Sequence, residues 1–101
     1  MKLDIEETRE GLRMRLSGEL DHHAARETAE IIDEAIVTRL PRKVVFDLSR
    51  LTFMDSSGIA VILRTVRRLE EADGSLTLEN VPPQAKKVLL ASKMDRLVGN
   101  F

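Results

Sequence analysis

The chain has no cysteine, no tryptophan and no tyrosine, and its only aromatic residues are three phenylalanines. Without cysteine there is no disulfide, no thiolate metal site and no cysteine nucleophile, so apolar burial and hydrogen bonding must hold the fold together. Neither sign of charge dominates. Sixteen basic and 17 acidic residues leave a net charge of −1, which supplies no long-range field for nucleic acid or for an anionic membrane surface. Long apolar runs are missing too: no stretch approaches the roughly 20 residues that cross a bilayer. Met1-Lys2-Leu3-Asp4-Ile5-Glu6-Glu7 alternates polar and apolar residues where a secretory signal needs an apolar core of about 7–15. The expectation is a cytoplasmic protein that binds other proteins, with no nucleic-acid or membrane partner. Low-complexity tracts, linkers and repeats of about 20–50 residues are likewise absent.

What is present suffices for one domain over residues 1–101. At 43% hydrophobic content, a chain of this length buries roughly two thirds of its unfolded surface and folds without staples. Leu3 and Ile5 alternate with charges, Arg9-Glu10-Gly11 offers a turn, and Leu12, Met14 and Leu16 alternate with Arg13, Arg15 and Ser17. This predicts a β-hairpin with one buried face. A helix then follows to about Arg39, with Ala25, Thr28, Ala29, Ile32, Ala35 and Ile36 on one side, and Pro41 ends the pattern.

Lys43-Val44-Val45-Phe46-Asp47-Leu48 reads as a buried strand, and Ile59, Ile62, Leu63, Val66 and Leu69 recur at helical spacing. Ala72-Asp73-Gly74 is a stop and turn, Ser75–Glu79 a strand, and Pro83 opens a third helix to about Lys93 with Ala85, Val88, Leu89 and Ser92 on one face. A last short strand is expected within residues 94–101. The order ββαβαβαβ predicts an α/β fold, a mixed sheet with helices packed on it and parallel pairing in its second half.

The junction Phe53-Met54-Asp55-Ser56-Ser57-Gly58-Ile59 sets two hydroxyls where the second helix begins. One use of these residues is structural: Asp55 or Ser56 caps the helix and Gly58 allows close packing in its first turn. Another is a switch. A phosphoryl group on one serine would add roughly −1.5 to −2 charges beside Asp55, at a helix end that attracts anions. Spacing alone leaves both open. Asp21 is likewise a plausible cap for the first helix. His22 and His23 are adjacent, which suits no single metal, and nothing completes a ligand set. No metal, cofactor or catalytic set is expected: Asp55 and Ser56 lack a histidine base, and there is no phosphate-cradling glycine loop.

The run Asp47-Leu48-Ser49-Arg50-Leu51-Thr52-Phe53-Met54-Asp55-Ser56-Ser57-Gly58-Ile59, with Gly18-Glu19-Leu20-Asp21-His22-His23 upstream, resembles the signature of bacterial anti-sigma factor antagonists of the STAS-domain family, in particular its sporulation-type branch. That resemblance implies a single STAS-type domain in which Ser56 is the phosphoacceptor. Gly18, Asp21, His22, Asp55, Ser56, Ser57 and Gly58 are then expected to contact the partner. The partner implied is an anti-sigma factor with serine kinase activity, opposed by a serine phosphatase. A different use of the fold, as a STAS subunit or regulatory domain of a membrane transport system, is the alternative. The chain departs from the family pattern at Gly58-Ile59-Ala60, where a second glycine is usual, and at Ser92-Lys93, where many relatives carry Ser-Gly. It also ends at Phe101, where relatives often run on through one more helix.

Overall fold

The computed structural model describes residues 1–98 and 101. Two strands open the chain, β1 (Lys2–Glu7) and β2 (Gly11–Leu20), followed by helix α1 (His22–Arg39), strand β3 (Lys43–Met54), helix α2 (Ser56–Glu70), strand β4 (Ser75–Glu79) and helix α3 (Pro83–Ala91). They form one mixed sheet in the order β1-β2-β3-β4, with β1 antiparallel to β2 and the other pairs parallel. This is the expected α/β fold through its first seven elements.

The eighth is a correction. In place of a last strand the chain makes a 3-10 turn over Met94–Arg96, entered through Lys93 at φ 58°. Met94 and Val98 are buried there, next to exposed Leu97. Apolar residues four apart suit a turn that plugs the core, and no alternation is present to define a strand face. Gly99 and Asn100 lie outside the described residues.

The sheet has a wet face and a dry one. Leu12, Met14 and Leu16 of β2 line up with Val44 and Phe46 of β3 and with Leu76 and Leu78 of β4 to form the dry face. Thr28, Ala29, Ile32, Ala35 and Ile36 of α1 cover it, together with Val61, Ile62, Val66 and Leu69 of α2 and Ala85 and Leu89 of α3. The α2 stripe matches the expected one at Ile62, Val66 and Leu69 and differs along one side: Val61 and Thr65 are buried, whereas Ile59 and Leu63 are only half-buried.

On the other face sits a buried carboxylate. Asp47 is 2% exposed. Its Oδ2 accepts from Arg13 and Arg15, both at 3.2 Å, and its Oδ1 accepts from the Ser49 N–H at 3.0 Å and the Asn80 amide at 3.2 Å. Arg13 also donates to Glu79 at 2.8 Å. Burial pushes the Asp47 carboxyl up, but the Ser49 N–H and hydroxyl, the Asn80 amide and Arg15 outweigh it and hold the group well below the usual carboxylate range. One side chain thus ties β2, β3 and the loop after β4 together.

A carboxyl depressed in the folded state stabilises the fold above its unfolded value near pH ~4, and that contribution is lost as pH falls toward the folded value. Asp47→Ala should lower unfolding free energy in urea by about 1–3 kcal/mol at pH 7, since it leaves the Ser49 N–H and the Asn80 amide without their acceptor, while Arg13 keeps Glu79. The parent should lose stability on acidification below pH ~4 more steeply than the variant. Equal acid slopes would contradict this account.

Candidate functional site

β2 and β3 reach the same edge of the sheet in step. The pairing runs Arg15↔Asp47, Ser17↔Arg50, Gly18↔Leu51, Glu19↔Phe53 and Leu20↔Met54, so β3 inserts two more residues than β2 over this stretch. The two bulges bring the strands back into register at Leu20 and Met54. Gly18, at φ 100°, supplies the left-handed backbone that one of them needs. The sequence reading ended β3 near Leu48, because Ser49, Arg50 and Thr52 break the apolar run. Pairing with the far half of β2 carries the strand on to Met54.

Beyond each strand end stands an aspartate, and beyond each aspartate a helix. Asp21, extended at φ −112° and ψ −173°, caps α1: its Oδ1 accepts from the His23 N–H at 3.0 Å and the Ala24 N–H at 3.1 Å. Asp55, at φ −119° and ψ −167°, caps α2: its Oδ1 accepts from the Ser57 N–H at 2.8 Å. Neighbouring strands lie about 4.8 Å apart, and the Asp55 N–H donates across that gap to the Leu20 carbonyl at 3.4 Å. The Ala24 N–H above all, with the His23 N–H, holds the Asp21 carboxyl below its ordinary value. The structural reading of the two aspartates is thus observed, and Asp55 rather than Ser56 is the cap of α2.

The serines differ in surroundings. Ser56, the first residue of α2, is exposed. Ser57 is half-buried and lines a hollow of about 290 Å³ between α1 and α2, floored by Ala25, Ala29, Ala60 and Val61 and rimmed by Arg26 and Arg64. Gly58 is buried, and a Cβ there would stand 2.6 Å from Met54 Cγ and 3.2 Å from the Leu20 side chain. The first turn of α2 therefore rests on the two strand ends.

Asp21, His22, Asp55, Ser56, Ser57 and Gly58 consequently gather at one edge of the sheet. Gly18 stands further back, against a separate groove of about 540 Å³ that also takes in Asp21, His23 and Thr52. The His22 and His23 rings lie 5.8 Å apart, edge to face, and no group of three or more metal-ligating side chains gathers among the described residues. No helix among them is long and apolar enough to cross a membrane.

One contributor escaped the sequence reading. Gln84, in the first turn of α3, accepts from the Met54 N–H and donates to the Met54 carbonyl, both at 2.8 Å. The sequence carried no local signal for it: the need arises only because a five-residue β4 leaves the end of β3 without a strand partner on that side.

A mixed four-stranded sheet with two parallel crossovers and twin capped helix starts is the architecture of a STAS domain. The STAS domain model matches residues 2–101, and the chain belongs to that family. It is 35% identical over 98 residues to the anti-sigma F factor antagonist of Paenibacillus polymyxa, covering 97% of this chain and 84% of that one. To the anti-sigma F factor antagonist of Lysinibacillus sphaericus it is 41% identical over 81 residues, covering 80% and 69%. Among solved structures it matches the anti-sigma factor antagonist SpoIIAA in its unphosphorylated form, with a TM-score of 0.84, 36% identity and coverage of 96% of this chain and 85% of that one. The phosphorylated form of the Bacillus SpoIIAA matches with a TM-score of 0.75, again at 36% identity, over 96% and 88% of the two chains.

Gly58→Ala should lower stability by about 1–3 kcal/mol through overpacking against Met54 and Leu20, read from urea midpoints. An unchanged midpoint would mean that the first turn of α2 has room to spare.

Proposed function

We propose that this protein is an anti-sigma factor antagonist switched by phosphorylation at Ser56. In its unphosphorylated form it binds an anti-sigma factor that is also a serine kinase, and so frees a sigma factor. The observation that carries the reading is the exposed residue Ser56 at the start of α2, next to the Asp55 cap and at the sheet edge that Asp21 also shares. The relatives' names support the antagonist role, and the existence of both phosphorylated and unphosphorylated forms of SpoIIAA supports a phosphate switch.

Ser56 suits a kinase better than Ser57 because it is open to solvent, while Ser57 is half-buried. The contact surface consists of Asp21, His22, Asp55, Ser56 and Ser57, with Phe53, 40% exposed, as an apolar anchor at its border; Gly58 is buried beneath it and Gly18 stands further back, so these two shape the surface without touching the partner. The serine is a substrate of the partner's chemistry, so the domain itself is not an enzyme and needs no cofactor. A serine phosphatase restores the binding form, and the exchange takes place in the cytoplasm.

The phosphate acts on the complex and leaves the fold intact. The positive end of the α2 macrodipole favours a dianion at Ser56, so the domain has no electrostatic reason to unfold around it. A partner shaped to a neutral hydroxyl meets three negative groups instead, and loses affinity through like-charge repulsion and desolvation.

With the anti-sigma F factor of Paenibacillus polymyxa and ATP, phosphate located by mass spectrometry should sit on Ser56. Ser56→Ala should still bind and stay unmodified. Ser56→Asp should bind at least a hundredfold more weakly, about 2.7 kcal/mol, while melting near the parent temperature. Full phosphorylation of Ser56→Ala, or parent-like binding by Ser56→Asp, would refute the switch.

A further inference from the structure

We propose that Gln84 of α3 is a positioning residue for the switch: its side-chain amide holds the end of β3 so that Asp55 and Ser56 keep the geometry a partner reads. The inference rests on the reading of Ser56 given above.

β4 pairs with β3 only over Lys43–Asp47. From Leu48 onward that side of β3 has no strand beside it, yet the last residue before the site is bonded as if it had. The N–H and C=O of one residue in a strand point the same way, and both groups of Met54 point at the Gln84 amide, which meets them at 2.8 Å each. A carboxamide offers one acceptor and one donor at the spacing of a peptide group, so Gln84 stands in for a missing strand residue. The next residue, Asp55, is bonded on the opposite side by its N–H to the Leu20 carbonyl. The junction is therefore fixed from both flanks, and its bond toward β2 is the longer at 3.4 Å.

Gln84 is available because α3 does not use it elsewhere. Pro82 precedes the helix without a side-chain cap, and Pro83 takes the first helical position, where no N–H is needed. The loop that leads there is anchored by Asn80, at φ 54° and bonded to Asp47. The segment from Asn80 to Gln84 thus grips β3 at two points, Asp47 and Met54. Only the second adjoins the site. Without the Gln84 bonds, the Met54 N–H and carbonyl would lose their partner, and the extended backbone that aims the Asp55 carboxylate at the Ser57 N–H would lose its firmer support.

The test compares the parent, Gln84→Met and Gln84→Glu. Gln84→Met keeps the length of the side chain and removes both hydrogen-bonding atoms. In free protein its Met54 and Ser57 amides should exchange hydrogen at least tenfold faster, while those of the β1–β2 hairpin stay as in the parent. Affinity for the Paenibacillus polymyxa anti-sigma F factor and the rate of Ser56 phosphorylation should both fall five- to twentyfold. Gln84→Glu adds a readout that a merely structural role does not move. When ionised it still accepts from the Met54 N–H but opposes the Met54 carbonyl, and when protonated it restores both bonds. Its affinity divided by that of the parent at the same pH, so that the groups the two proteins share cancel, should fall as pH rises from about 4, in the ordinary glutamate range, to about 7.

Unchanged Ser57 exchange in Gln84→Met would overturn the inference. So would parent-like affinity in Gln84→Met when Ser56→Asp binds weakly. Parent-like binding by Ser56→Asp would instead remove the switch reading itself, which keeps the two failures apart.

Discussion

The site depends on one constraint: β2 and β3 must finish together. Leu20 and Met54 are register partners at the end of a parallel pair, and the residue after each is an aspartate that turns the chain into a helix. A one-residue slip of either strand would exchange the faces of its side chains and separate the two caps. The twin bulges of β3 and the left-handed Gly18 are the local means by which strands of unequal length meet that condition. Gly58 then sets α2 directly on the matched ends, so the spacing of the two helix starts is decided by backbone pairing and by contact with Leu20 and Met54.

A second organising feature lies on the far face of the sheet. Asp47 opens the signature that ends in the serine pair, yet it points away from the helices and takes no part in the edge. Four donors surround it, from β2, from its own strand and from the loop after β4. The polar clamp and the apolar core therefore hold the same strand from opposite sides. Through Asn80 the clamp also sets where α3 begins, and so where Gln84 can reach.

Much of this was legible in the sequence, for physical reasons that differ by element. The hairpin and α1 were readable because Leu12, Met14 and Leu16 obey a period of two, whereas Thr28, Ala29, Ile32, Ala35 and Ile36 obey one of 3.6. The edge carrying Asp21 and Ser56 followed from two strand-to-helix junctions in neighbouring parallel strands. The second half of β3 was not readable, because Ser49, Arg50 and Thr52 look like a loop until the bulged partner strand is in place. Val61 and Thr65 were missed as core since only the tilt of α2 against the sheet decides which edge of its stripe is covered. Gln84 was hidden for another reason: its role rests on the absence of a neighbour for Met54, and absence in three dimensions has no local signal. The turn at Met94–Arg96 mimicked a strand because a few apolar residues near the end of a chain fit either form.

Placing two helix starts side by side has a cost of its own, since parallel macrodipoles set two partial positive charges, each about half a unit, at one edge. The capping carboxylates of Asp21 and Asp55, one full charge each, more than offset them and leave the resting edge with about one net negative charge. A phosphate adds roughly 1.5 to 2 more. Physiological salt weakens interactions beyond its ~8 Å screening length. The modified edge therefore repels a partner over a longer reach at low salt than the resting edge does, and the two states of the protein should differ in how steeply their binding depends on the ionic medium.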